Sequence, residues 1–376
     1  MIPFTKPTKT GKEVDSLNQA ISSDNLNSPI ADVCTFLEMQ TNTKNTYFCN
    51  SCSDALEMSA LAMNLSADDE VIIPDYTFVT SASSFALRGA KILLCDVVKD
   101  DLCLDLEMAE RLISKKTKAI LWVDYAGCSA RAHKARQLCD KYGLLLIQDA
   151  AQSIGNWLFA PHEKCFQGDF ITYSFHYTKN LHSGGEGGAL IVRNKEFVEI
   201  TDMIFEKGTN RRAFIRNEVD KYTWRTLGSS FAGSFSQAAL LRPQLMDIER
   251  ITSARRLLWN KYYDYFNNSS WIKNGWQIPQ ANNIANAHIF WILAPNKNLK
   301  NKLLDFCSSY EIQLCTHYQS LAKSPAGLKY ASFPLGVEIS EMATEYLVRL
   351  PIWHGMTKND INYILDVLLK FHKTYL

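Results

Sequence analysis

The segment Ser174-Phe175-His176-Tyr177-Thr178-Lys179-Asn180 puts a lysine just after an apolar run and just before a glycine-rich turn. Lysines are mostly exposed in folded proteins, so one in this position calls for a reason. If part-buried, Lys179 would lose proton affinity, and its amine could form a Schiff base with a carbonyl compound. Upstream, Gln148-Asp149-Ala150-Ala151-Gln152 ends an apolar run with an acid. Asp149 either caps the turn that follows or supplies an anion that keeps a heteroaromatic nitrogen protonated. In Asn50-Ser51-Cys52-Ser53-Asp54, small polar residues open a helical pattern. They read either as an ordinary N-terminal cap or as backbone N–H groups that hold a phosphate. Ser183-Gly184-Gly185-Glu186-Gly187-Gly188 lacks the lysine and serine of a Walker loop and enters a strand rather than a helix. It reads as close backbone packing around a cofactor.

These segments need a scaffold, and the chain between Tyr47 and Val192 supplies one. Val71–Pro74, Lys91–Val97, Ala119–Tyr125 and Leu144–Ala150 are apolar runs without alternation, as expected of parallel strands covered on both faces. Helical patterns lie between them at Ser53–Asn64, Thr80–Leu87, Leu104–Ser114 and Ala130–Tyr142, with Asp105 and Ser129 as start signals and Gly143 as a stop. This alternation predicts an α/β domain whose ligand site lies at the strand ends. Further on, Asn210–Arg225 reads as a basic loop and Phe235–Tyr265 as a helical stretch interrupted or kinked at Pro243. From Trp271 the pattern mixes strands (His288–Leu293, Gln313–His317) with helices (Lys300–Tyr310, Lys358–Tyr375). The expected division is a large domain over 1–245 and a smaller α+β domain over 246–376.

Composition narrows the classes. Of 376 residues, 47% are hydrophobic and 21% charged, which excludes a disordered or fibrous chain. Lys plus Arg minus Asp plus Glu is 40 − 39, or +1, so charge offers no reason to expect nucleic acid or a membrane surface as partner. The polar N-terminus, interrupted by Pro3 and Pro7, is no secretory signal, and no apolar run approaches the ~20 residues of a membrane span. The ten cysteines read as reduced thiols of a cytoplasmic protein. Cys49 and Cys52 have no second pair at zinc spacing, and no metal site is expected.

Taken in order, Met1–Phe4, Leu56–Met58, Leu87–Lys91, Asp149–Gln152, Ser174–Lys179, Glu206–Arg211, Val219–Arg225 and Gly228–Ser230 resemble the DegT-type sugar-nucleotide aminotransferases, pyridoxal-phosphate enzymes of fold type I. The resemblance covers nearly the whole chain. It implies a large domain built on a mainly parallel seven-stranded sheet, and a homodimer with its active site at the subunit interface. It also implies that Lys179 forms an aldimine with pyridoxal 5'-phosphate, Asp149 pairs with the ring nitrogen and Gln152 bonds the ring hydroxyl. Phe78 would stack on the ring, and Cys52, Ser53 and Ser174 would hold the phosphate, joined by Asn210 from the neighbouring subunit. Tyr125, Arg211, Arg212, His317 and Tyr318 fall on the substrate side. The implied reaction is ping-pong transfer of an amino group from L-glutamate to C4 of a dTDP-4-keto-6-deoxyhexose, most closely the galacto branch. Amination at C3 and a non-catalytic partner subunit are the alternatives. Lys179 speaks against the latter, as it does against the family's dehydratase branch, where a histidine takes its place.

Several positions depart from that pattern. Asp54 stands where a small residue is usual, Asp124 replaces a histidine, Tyr177 an acid, Ser320 a proline and Ala322 a histidine, and Ser22–Asn27 replace a glycine-rich stretch. These changes are expected on the sugar-nucleotide side. The basic loop reads either as a solvated interface or as a clamp for the substrate's diphosphate, offered in trans.

Overall fold

The structure is a computed structural model that describes residues 1–281 and 285–376, apart from the side chain of His162. Ten strands are described: β1 Thr46–Cys49, β2 Glu70–Pro74, β3 Lys91–Cys95, β4 Thr117–Val123, β5 Leu145–Asp149, β6 Phe170–Ser174, β7 Gly188–Val192, β8 Phe290–Leu293, β9 Ala331–Ser332 and β10 Leu347–Leu350. Eight form one sheet in the order β1-β7-β6-β5-β4-β2-β3-β9, and β8 pairs antiparallel with β10 in a second, smaller sheet. The large sheet is parallel from β6 to β9, and antiparallel where β7 meets its neighbours β1 and β6. Strands β2 to β5 are those read from the apolar runs, and the resemblance implied seven strands where the sheet has eight. The eighth, β9, pairs Ala331 with Ile92 and Ser332 with Leu93. Two residues are too few to leave a periodic signal.

Both faces of the large sheet are covered, which is why its strands carry no polar side. Val71, Ile73, Leu121 and Val123 pack into one apolar cluster, while Ile72, Ile120 and Trp122 pack into another. A third cluster joins the helices 248–267, 297–309 and 358–375 to β8 and β10 around Trp259, Trp271 and Phe371.

The local signals perform as their chemistry dictates, with exceptions. Asp105 caps helix 106–112, accepting the N–H groups of Glu107 and Met108, and Gly143 ends helix 132–142 at φ +66°. Ser129 does not cap: that helix starts at Ala132 without a side-chain cap, and Ser129 instead accepts from Asn156 Nδ2. Pro243 does not break its helix, which runs Phe235–Met246 and stops before Asp247. Proline leaves the Ala239 carbonyl without its intrahelical partner, and Ser16 Oγ donates to it at 2.7 Å. The expected loop 210–225 contains a short helix, Arg211–Ile215, and the expected strand 313–317 is reduced to a single bridge between Cys315 and Arg349.

Acids at strand ends tie the two halves of the chain together. Asp75, after β2, accepts the Ala322 N–H at 2.7 Å. Asp96, after β3, accepts the N–H groups of Ile339 and Ser340, both at 2.8 Å. The C-terminal half is thereby held against the ends of the parallel strands.

Candidate active site

A cavity of about 680 Å³ opens at the C-terminal ends of β2, β5 and β6. Its lining includes Cys52, Ser53, Phe78, Asp149, Gln152, Ser174, Lys179, His317 and Tyr318, so residues scattered over most of the sequence meet there. Lys179 follows β6 by five residues, and its N–H closes a turn onto the His176 carbonyl at 2.9 Å. Burial pushes its ammonium below the ordinary lysine range. Arg349 acts in the same direction, while Cys52 and Asp149 oppose it. Lys179 therefore carries a basic, partly desolvated amine into this cavity.

Asp149 is 5% exposed. Its Oδ2 accepts Ser81 Oγ at 2.8 Å, and its Oδ1 accepts the Ala151 N–H at 3.1 Å. Thr77 Oγ1 donates in turn to Ser81 Oγ at 3.0 Å, which commits the Ser81 proton to the carboxylate. Burial raises the Asp149 pKa, and these donors, together with Lys179, pull it back toward the ionised form. Gln152 is clamped at both ends. Its Oε1 accepts the Ala126 N–H at 2.9 Å, and its Nε2 donates to the Tyr318 hydroxyl at 2.9 Å. Ala126 makes that contact from a left-handed backbone at φ +56°, a strained conformation for an L residue.

At the start of helix 52–62, Ser51 Oγ accepts the Asp54 N–H at 3.0 Å. That bond takes up the third N–H of the helix and leaves those of Cys52 and Ser53 at the cavity edge. Gly188 on β7 backs this junction. A Cβ there would overlap the Ser51 carbonyl and the Cys52 nitrogen, so only glycine allows strand and helix to approach this closely.

Also in the lining, His317 stacks on Tyr318 with ring centroids 3.8 Å apart. Tyr125 lies one layer back, outside the lining, and its hydroxyl shares a 2.7 Å hydrogen bond with His317 Nδ1. Burial holds His317 well below the usual histidine range, with Arg349, His288 and Lys179 adding to the effect, so its imidazole is neutral. Phe78 is 52% exposed at the mouth.

Asn210, Arg211 and Arg212 do not join this cavity within their own chain. Asn210 Oδ1 accepts the Thr223 N–H, and Arg211 pairs with Glu206 at 3.2 Å. Arg212 pairs with Asp202 at 2.9 Å and lies 4.7 Å over the rings of Tyr47 and Phe205. It pins the loop to helix 198–205.

The departures are not gathered on one wall. Only Tyr177 lines the cavity. Asp124 is 1% exposed and points into the core, accepting from Trp122 Nε1, Gln148 Nε2 and Ser153 Oγ at 2.7–3.0 Å, with burial pushing its pKa up to about 7. Ser320 and Ala322 are buried beside Asp75. The carboxyl of Asp54 is pushed up to about 6 by burial, with Glu57 and Glu186 nearby.

Ser81, Thr77, His288, Arg255 and Arg349 belong to the cavity and its support, and sequence reasoning missed them. Ser81 meets Asp149 across 68 residues, a separation that leaves no local pattern. Arg349 did leave one: it is the only charge in Leu347-Val348-Arg349-Leu350-Pro351.

An open α/β sheet with a desolvated lysine, a buried acid and a glutamine converging at its strand ends defines an enzyme of amine–carbonyl exchange. A model of the DegT/DnrJ/EryC1/StrS aminotransferase family matches residues 13–369, and the chain belongs to that family. It is a pyridoxal-phosphate-dependent sugar aminotransferase of fold type I. Three solved structures share the fold. Helicobacter pylori PseC, an aminotransferase involved in the biosynthesis of pseudoaminic acid, is 21% identical over 100% of both chains, with a TM-score of 0.84. S. venezuelae DesV, in complex with a ketimine intermediate, is 22% identical over 98% of both chains, with a TM-score of 0.86. A DegT DnrJ EryC1 StrS aminotransferase from Brucella abortus is 23% identical over 96% of both chains, with a TM-score of 0.83.

The residues present fit the cofactor. Lys179 answers an aldehyde, buried Asp149 a ring nitrogen, and the glycine-backed helix start beside Ser174 a phosphate. Among the described residues, no helix is long and apolar enough to cross a membrane.

Proposed function

We propose that this enzyme transfers the amino group of L-glutamate to the C4 carbonyl of a dTDP-4-keto-6-deoxyhexose, giving a dTDP-4-amino-4,6-dideoxyhexose of galacto configuration. The observation that carries amination is the convergence of Lys179, Asp149 and Gln152 on one cavity. The choice of acceptor rests on the segments Glu206–Arg211 and Val219–Arg225.

In this reading, the N–H groups of Cys52 and Ser53 and the Ser174 hydroxyl would hold the cofactor phosphate. Asp149 would hold the ring nitrogen, Gln152 the ring hydroxyl and Phe78 one ring face. When bound, the cofactor supplies the electron sink that acidifies the donor's Cα–H and carries the amino group between the two half-reactions. The rest is done by the chain. Lys179 Nζ, neutral more often than an exposed lysine, accepts the Cα proton of the donor and returns a proton on the way back. Ser81 Oγ and the Ala151 N–H favour the charged form of Asp149 against the effect of burial. Tyr318, kept protonated by burial, accepts from Gln152 and has its own O–H left to donate into the cavity. Leu56, Val123 and Ile352 supply apolar wall that limits water.

The working unit is a homodimer in which Asn210 and Arg211 serve the neighbouring cavity, while Arg212 anchors their loop. The exposed apolar side chains Leu87 and Leu227 flank one shallow depression with Phe231, and Trp224 is 75% exposed on the same loop, a surface suited to a second copy.

The test is to incubate the purified protein with L-glutamate and dTDP-4-keto-6-deoxyglucose. Visible absorbance should bleach with glutamate alone, and NMR of the product should place the amine at C4. An amine at C3 refutes the acceptor assignment. Transamination by a folded Lys179→Ala variant refutes the mechanism.

A further inference from the structure

Residues 2–8 run along the edge of the cavity and touch both halves of the chain. The Ile2 N–H donates to the Glu311 carbonyl at 2.7 Å, and the Ile2 carbonyl accepts the Gln313 N–H at 3.0 Å. The Phe4 N–H donates to Gln313 Oε1 at 3.1 Å, and Phe4 and Thr5 join the cavity lining. The run ends at Thr8, whose side chain is polar and yet only 1% exposed. Thr8 is bonded on two sides. Its Oγ1 donates to the Asn180 carbonyl at 2.7 Å, and its own carbonyl accepts His182 Nε2 at 2.8 Å. The Gly184 N–H meets His182 Nδ1 at 3.1 Å, so that nitrogen accepts and the ring proton sits on Nε2, where it faces Thr8.

We infer that Thr8 is a positioning residue for Lys179, an inference that rests on the reading of Lys179 as the reacting amine. The lysine stem is long and flexible, so the place of its amine depends on how firmly the backbone beneath it is held. That backbone lies beyond the end of β6 at Ser174, outside the sheet ladder. The Lys179 N–H bonds only within its own turn, to His176, which shapes the loop without fixing it to the rest of the molecule. The fixed points come from the next residue. Asn180 is 2% exposed; its Oδ1 accepts from His288 Nδ1 at 3.0 Å, and its Nδ2 donates to the Asn286 carbonyl at 3.1 Å. Those bonds hold its side chain, and Thr8 holds its main chain. A buried carbonyl deprived of its donor is costly to leave unmatched. Without the Thr8 hydroxyl, the Asn180 peptide turns toward another partner and carries the adjoining Lys179 with it.

The experiment compares wild type, Thr8→Val, Thr8→Ser and Ser16→Ala as holoenzymes, each checked for fold by circular dichroism. Ser16→Ala is the control: it too deletes a buried hydroxyl bonded to a main-chain carbonyl, that of Ala239, and neither residue lines the cavity. Bleaching by L-glutamate, followed over donor concentration, separates the limiting rate from half-saturation. Hydrogen exchange over residues 179–184, where the amides of Lys179, Ser183 and Gly184 are bonded, reports how firmly the loop is held. In Thr8→Val the limiting rate falls by about 10- to 100-fold, as expected when a reacting group is misplaced by about an ångström, with half-saturation within about twofold. Exchange over 179–184 quickens, and Thr8→Ser, which keeps the hydroxyl, recovers both. Ser16→Ala lowers Tm but holds its limiting rate within about twofold of wild type. A Thr8→Val limiting rate within about twofold of wild type overturns the inference, as does an equal loss of rate in Ser16→Ala. If wild type itself does not bleach with L-glutamate, the donor assignment falls and exchange decides Thr8: unchanged protection over 179–184 in Thr8→Val overturns the inference, and faster exchange confined to that stretch upholds it.

Discussion

Ser81→Ala tests how a buried carboxylate is kept in its working state. Asp149 has two donors among the described residues, Ser81 Oγ at 2.8 Å and the Ala151 N–H at 3.1 Å, each on its own oxygen. Removing the hydroxyl strips Oδ2 of its only described donor and leaves Thr77 Oγ1 without its acceptor. A hydrogen bond to a charged, desolvated group contributes about 1.5–3 kcal/mol. If Asp149 holds the cofactor's ring nitrogen only when ionised, that loss appears as pyridoxal phosphate affinity about 10- to 150-fold weaker. The sign of the pH effect follows from the same bond. Burial already raises the Asp149 pKa, and Ser81 is the first group lowering it. Without Ser81 the pKa rises further, so the acid limb of kcat/KM moves to higher pH while the alkaline limb stays. The assays are equilibrium cofactor binding and a pH–rate profile for L-glutamate. Ser81→Thr, which keeps the hydroxyl, should restore both. Cofactor affinity within twofold of wild type, together with superimposable pH profiles, would refute the reasoning.

Three further outcomes are expected. Gly188→Ala forces a Cβ into the Ser51–Cys52 peptide; overpacking of this kind costs about 1–3 kcal/mol, read as a lower Tm, and weaker cofactor binding should accompany it. Burial pushes the Asp54 carboxyl up to about 6, so its charge develops as pH rises through that region, beside the helix start assigned to the phosphate. Cofactor affinity should therefore fall more steeply over pH 5–7 in wild type than in Asp54→Asn, and equal slopes in the two proteins would remove Asp54 from the site's electrostatics. Asp124→Ala strands the donors of Trp122, Gln148 and Ser153 in the core; each unsatisfied group costs about 1–3 kcal/mol, so a large drop in unfolding free energy by urea titration is expected, with L-glutamate KM unchanged in the protein that remains folded.

Four aspartates, Asp75, Asp96, Asp124 and Asp149, stand at or just past the ends of parallel strands, and in sequence they look alike. Each follows an apolar run, because a strand covered on both faces must be apolar and the chain turns polar as it leaves the sheet. That periodicity determined where β2 to β5 lie, and the Lys179 segment with the glycine-rich turn pointed to the end of the sheet at which the cavity opens. Local chemistry was legible as well: Asp105 caps its helix because its carboxylate reaches N–H groups two and three residues on. The fates of the four acids were decided elsewhere. Asp75 and Asp96 receive N–H groups from 243 to 247 residues away, Asp124 turns inward to three donors, and only Asp149 faces the cavity, where Ser81 holds it. The same holds for Arg349, marked in sequence as an odd charge in an apolar strand, whose place in the cavity lining depends on the C-terminal half docking onto the strand ends. Side-chain type and spacing specify what a residue can do within about a turn of its own backbone. Which partner it meets across the chain depends on packing between elements, and that is a property of the tertiary fold alone.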